Sequence, residues 1–89
     1  IEVVKYDNKF FMLINAGLVG LSNGQSLWLA YSSDGKNFKV LPNPLFKENT
    51  YKSSLLPIST NDKFNTFMLY QSDKRDGSIN AYKLTLKKI

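Results

Sequence analysis

Few side chains here could move a proton or hold a ligand: seven carboxylates, twelve Lys and Arg, five Tyr, and neither His nor Cys. A thiol nucleophile, a His-based triad, a disulfide framework and the ordinary zinc sites are excluded on that ground. What remains open to the carboxylates is paired acid/base work, which needs two of them positioned around one reacting bond. Their surroundings argue against such a pair. Asp7, Asp34, Asp62, Asp73 and Asp76 mostly sit in turn-like stretches rich in Asn, Gly and Lys, and Glu48 lies in an irregular segment. Only Glu2 stands in an apolar run, Ile1-Glu2-Val3-Val4. A second cluster, Tyr51-Lys52-Ser53, opens another run with a ring, an ammonium and a hydroxyl together. No catalytic residue is therefore assigned, and with no carboxylates at ligand spacing and no Gly-rich phosphate loop, neither a metal nor a cofactor is expected.

The elements that position these residues read as strands. Asn and Ser occur nine times each and Ala three times, a composition that favours turns over helix. Apolar runs fall near residues 1–6, 10–15, 27–33, 37–41, 52–59, 65–71 and 78–86, with turn residues between them. Asp7-Asn8-Lys9, Asp34-Gly35 and Asn61-Asp62-Lys63 read as tight turns, and Asp76-Gly77 ends the second long loop. Pro42-Asn43-Pro44 breaks the pattern and reads as a connection. Phe10-Phe11-Met12-Leu13-Ile14 is apolar on both strand faces, and Phe67-Met68-Leu69-Tyr70 nearly so, which calls for cover on both sides of the sheet.

The sequence also echoes itself at a period of about 50 residues, the scale of one four-stranded unit per repeat. Val4-Lys5-Tyr6-Asp7-Asn8-Lys9-Phe10-Phe11-Met12-Leu13 reads like Ile58-Ser59-Thr60-Asn61-Asp62-Lys63-Phe64 followed by Thr66-Phe67-Met68-Leu69. Further on, Gly24-Gln25-Ser26-Leu27-Trp28-Leu29-Ala30-Tyr31 reads like Gly77-Ser78-Ile79-Asn80-Ala81-Tyr82.

These residues resemble a blade of the five-bladed β-propeller glycosidases, glycoside hydrolase family 43 and its relatives. Residues 29–38, Leu-Ala-Tyr-Ser-Ser-Asp-Gly-Lys-Asn-Phe, are similar to a family element that ends in Trp where this chain has Phe38. The sialidase Asp-box is a nearer miss than a match, because Asp34 and Gly35 lack the residue between them. The resemblance implies an all-β fold of two four-stranded antiparallel blades, the second missing its fourth strand. The units are 1–41, a linker 42–50, and 51–89. It implies a fragment, C-terminal in position, of a glycoside hydrolase-like propeller acting on oligo- or polysaccharide, with catalytic carboxylates outside this segment. The chain opens on Ile1, so further chain is expected upstream. The alternatives are a non-catalytic carbohydrate-binding or scaffold propeller and a stand-alone small β domain.

Glu2, Tyr51, Lys52 and Ser53 are the candidate substrate-binding residues. Glu2 reads either as a cavity-facing carboxylate or as a solvated chain end. Relatives often carry Arg where Lys52 stands, and Lys52 lacks the planar fork that binds anions bidentately. Trp28 could stack on a sugar but reads as packing between blades; Lys87 and Lys88 read as a solvated tail. The net charge of +5 comes almost wholly from scattered Lys with a single Arg, a solubilising surface rather than a nucleic-acid footprint. No run of 18 apolar residues spans a membrane. The expected partners are carbohydrate and the missing blades or further copies of the chain, since two blades alone leave apolar faces open. An extracellular or periplasmic location is favoured.

Overall fold

The computed structural model describes residues 2–17, 25–73 and 75–88. Seven strands form one antiparallel sheet: β1 (Glu2–Tyr6), β2 (Lys9–Ala16), β3 (Gln25–Ser32), β4 (Lys39–Val40), β5 (Phe46–Thr60), β6 (Phe64–Asp73) and β7 (Ile79–Lys87). The hydrogen-bonded order is β1-β2-β3-β5-β6-β7, with β4 also on β3. Among the described residues there is no helix. The fold is all-β, and each expected strand is present.

The turns form for the reasons their residues supply. Asp7 and Asn8 both take positive φ (54° and 57°) between the paired Tyr6 and Lys9, the two-residue turn that suits a twisted hairpin. The second hairpin uses a different device. The Asn61 side-chain oxygen accepts the N–H groups of Lys63 and Phe64, both at 2.8 Å, while Asn61 N–H donates to the Phe64 carbonyl. After β3, the Ser32 hydroxyl and Asp34 carboxylate hold the 33–37 bend, and Gly35 adopts φ +78° against the Phe10 ring.

The segment expected as a 42–50 linker is partly strand. Past β4, Leu41 and Leu45 N–H donate to the Leu29 and Leu27 carbonyls, and Phe46 and Thr50 pair with Leu27 and Gln25. Residues 39–50 thus follow the free edge of β3. The ladder breaks between Val40 and Phe46, where Pro42 and Pro44 offer no N–H. The 15-residue β5 leaves that edge after Thr50, which pairs with both Gln25 of β3 and Asp73 of β6, and past a register shift between Thr50 and Ser53 it continues on β6 alone.

Leaving β3 there divides the sheet into two units, β1–β4 and β5–β7, with a shared core. Phe11, Leu13, Leu27 and Leu29 of the first pack with Leu55, Phe67 and Leu69 of the second. Phe67 is fully buried, its ring edge-on to Phe11 (4.9 Å between centroids) and Tyr6 (5.7 Å). The units lie in the same orientation. Leu55, two-thirds of the way along β5, sits at the start of β1 where it meets Glu2, and Asp7 beyond the end of β1 meets Lys88 beyond the end of β7. Lys88 N–H in turn donates to Lys63 in the β5–β6 loop. With β5 over β1 and β6 over β2, opposite faces of the two units meet in the core.

Candidate functional site

β5 positions the candidate residues as it crosses from the β3 edge to β1. Thr50 pairs with Gln25, the Tyr51 carbonyl accepts from Asn15 Nδ2 at 3.5 Å, and Leu55 N–H donates to Glu2 Oε2 at 2.6 Å. The crossing forms the wall of an open cleft of about 360 Å³ lined by Glu2, Leu13, Asn15, Gln25, Tyr51, Lys52 and Ser53. All four residues singled out from the sequence line this one cleft. Asn15 and Gln25 were not singled out. The available signal was a polar side chain at the end of an otherwise apolar strand face, because Asn15 follows Phe11 and Leu13 on the core side of β2.

Glu2 is neither a bare cavity acid nor a solvated chain end. Its carboxylate clasps the second unit, accepting from Leu55 N–H and, at 3.4 Å, from the Ser54 hydroxyl. Gln25 Nε2 donates to the Gly17 carbonyl at 3.2 Å. Tyr51 is 61% exposed, and the Lys52 ammonium lies 5.5 Å from its ring centroid. The cleft therefore offers an exposed aromatic ring beside amide, hydroxyl and ammonium groups. That set suits a polyhydroxylated ligand, with stacking on the ring and hydrogen bonds around it. Paired acid/base chemistry is not available in it, since Glu2 is the one carboxylate in its lining.

Four of the other acids, Asp7, Asp34, Asp73 and Asp76, are engaged at or beside turns. Asp34 accepts from Lys36 N–H (2.8 Å), Asn37 N–H (2.9 Å), the Ser32 hydroxyl and the Asn37 amide. The Asn37 and Lys36 N–H bonds lead in holding its carboxyl well below the usual carboxylate range. Asp73 is lowered chiefly by the two-pronged Arg75 guanidinium at 2.7 and 3.1 Å, and Asp76 by Ser78. Asp7 is lowered by its bond to Lys88, the ammonium 3.1 Å away. Lys88 is thus an anchor between the units rather than part of a solvated tail, because β7 ends beside the β1–β2 turn.

Trp28 also departs from expectation. It projects from the face of β3 opposite Leu27 and Leu29, half-buried, with Nε1 bonded to the Ser26 hydroxyl at 3.0 Å. It does not pack between the two described units. An apolar wedge of about 240 Å³ does lie between them, lined by Phe11, Leu29, Tyr31, Leu41 and Leu86 with Lys9, Lys87 and Lys88 around it.

Comparison with family models, curated proteins and solved structures gives no match. The functional reading rests on the cleft and on the residues that line it.

Proposed function

We propose that the chain supplies two blade-like units of a glycoside hydrolase-like β-propeller, and that the cleft at the β5 crossing contacts carbohydrate. The observation that carries the reading is the convergence of Glu2, Tyr51, Lys52 and Ser53 on one cleft. The stacking in one orientation, with first strands side by side, supports the blade assignment, as radially repeated units pack opposite faces together. The second unit has three described strands, as an incomplete blade would.

In this reading hydrolysis draws its carboxylate pair from other blades, and the present residues bind and orient the sugar. The ligand is an oligo- or polysaccharide, and further blades or further copies of the chain cover the outer faces. A second reading, a non-catalytic carbohydrate-binding or scaffold propeller, is favoured by one observation: the cleft holds a single carboxylate, already bonded to Leu55 and Ser54.

The test is a backbone amide NMR titration with a panel of neutral oligosaccharides. Saturable shifts centred on residues 51–53, abolished in Tyr51→Ala, are expected for at least one sugar. A panel that leaves those amides unmoved at millimolar sugar defeats the carbohydrate assignment. Release of an aryl leaving group from a glycoside by a longer chain, and its absence, separate the catalytic from the binding reading.

A further inference from the structure

We infer that the chain associates with a second copy head to tail, the outer face of β5–β7 docking on the outer face of β1–β3. The proposal rests on the stacking geometry and is independent of the sugar reading. Two units in the same orientation are related by a displacement and rotation, not by a facing two-fold. Such a relation is open-ended, because the contact it makes once can be made again at both ends.

The side chains carry this further than the backbone alone. Tyr6↔Lys9 closes the first hairpin around Asp7-Asn8, and Asn61 with Phe64 closes the second around Asp62-Lys63. Counting from those loops, Met12 occupies the place of Phe67 and Ile14 that of Leu69. The ladder then places Trp28 opposite Ile14 and Tyr82 opposite Leu69, so these two also correspond. Phe67 and Leu69 are the second unit's share of the core, and Tyr82 packs its ring on Phe46 at 5.2 Å. The first unit therefore carries an apolar set on its open face, at the positions by which the second unit grips the first.

The opposite face of the second unit is open and apolar in the same sense. Leu56 and Ile79 are 49% and 76% exposed, with Tyr70 at 37%. This face corresponds to the side of the first unit that packs in the core. The intermolecular contact thus continues an interface that already exists within the chain, which is why a second copy is the committed occupant. Because the two docking faces differ, a copy engaged at one end keeps the other free, and association runs to rings or filaments rather than stopping at a two-fold dimer.

Leu56→Arg, at a position 49% exposed, blocks one face, and Val3→Arg, 50% exposed on the other, blocks its counterpart. Sedimentation velocity from 5 to 500 µM on the parent chain should show mass rising past the dimer. Each variant alone should weaken association at least tenfold while keeping the parent's circular dichroism and melt. Mixed in equal amounts, the two should form a 1:1 dimer through their intact faces and nothing larger. A parent that stays monomeric to 500 µM overturns the inference, as does a folded single variant that associates like the parent. A mixture that remains monomeric while the parent associates overturns the head-to-tail geometry. Should either variant be unfolded, Ile79→Lys and Lys5→Glu repeat the test at other exposed positions of the same two faces.

Discussion

Removing Phe67 tests whether the two units are one cooperative structure. Its ring is fully buried, edge-on to Phe11 and Tyr6 of the other unit. Core Phe→Ala substitutions cost about 3–5 kcal/mol, the spread reflecting how far neighbours close on the cavity. Phe67→Leu keeps most of the apolar volume but loses two edge contacts worth about 0.5–1.5 kcal/mol each, so about 1–3 kcal/mol is expected. A chain of 89 residues at about 0.05–0.15 kcal/mol per residue holds about 4–13 kcal/mol in total. Phe67→Ala should therefore leave a marginal fold and Phe67→Leu a cooperative one.

Urea denaturation followed by far-UV circular dichroism and by Trp28 fluorescence measures the loss, at a protein concentration low enough to hold the monomer. Hydrogen exchange locates it. Since the core is shared, amides of β1–β3 should lose protection together with those of β5–β7 in Phe67→Leu. Protection lost in β5–β7 alone would refute the single core. So would a Phe67→Ala cost under about 1 kcal/mol.

Gly35→Ala should destabilise more than Gly77→Ala, measured by thermal melts. Both sit at positive φ (78° and 72°), but a Cβ on Gly35 meets the Phe10 ring at 3.2 Å while one on Gly77 meets nothing within 4 Å. Glu2→Ala should raise hydrogen exchange selectively at Leu55, whose N–H loses its 2.6 Å acceptor; unchanged Leu55 protection removes the clasp. Acid should destabilise the fold. Asp7, Asp34, Asp73 and Asp76 all have lowered values when folded, so their contribution is full above the unfolded value of about 3.9. That contribution is lost as pH falls through 3.9 toward the lower folded values. Melting temperatures that rise on acidification below pH 4 contradict those hydrogen bonds.

The strands were legible because their boundaries are local chemistry: aromatic and β-branched runs ended by Asn, Asp and Gly. The 42–50 segment was not, because Phe46–Thr50 becomes strand by pairing with β3, a contact 19 to 25 residues away. Side-chain facing was the subtler failure. The sequence echo sets Lys9-Phe10 against Lys63-Phe64 and, past the gap at Asn65-Thr66, Phe11 against Phe67, yet Phe11 and Phe67 meet in one core. The hairpin loops give the reason. The first loop is Asp7-Asn8 and the second Asp62-Lys63, so the structural correspondence runs one residue off the echo. A shift of one residue in a strand exchanges its two faces. The repeat in letters and the repeat in space therefore differ by one position, and the apolar runs tolerate this because both of their faces are apolar.

The same crossing that builds the cleft also accounts for much of its polarity. Where β5 leaves the β3 ladder, backbone groups lose their strand partners and must find others. Asn15 takes the Tyr51 carbonyl and Glu2 takes the Leu55 N–H. These side chains serve the fold first, and their polarity is not by itself a sign of a ligand. Tyr51 and Lys52 stand apart from that requirement. Both are exposed on β5, and a ring 61% open to solvent contributes little to the core. Substituting Asn15 or Glu2 should thus disturb the crossing as well as any ligand, whereas Tyr51→Ala should leave the melt close to the parent's. A carbohydrate affinity lost in Tyr51→Ala without loss of stability would separate recognition from architecture. An affinity lost only in variants that also loosen Leu55 would assign the cleft to the fold alone.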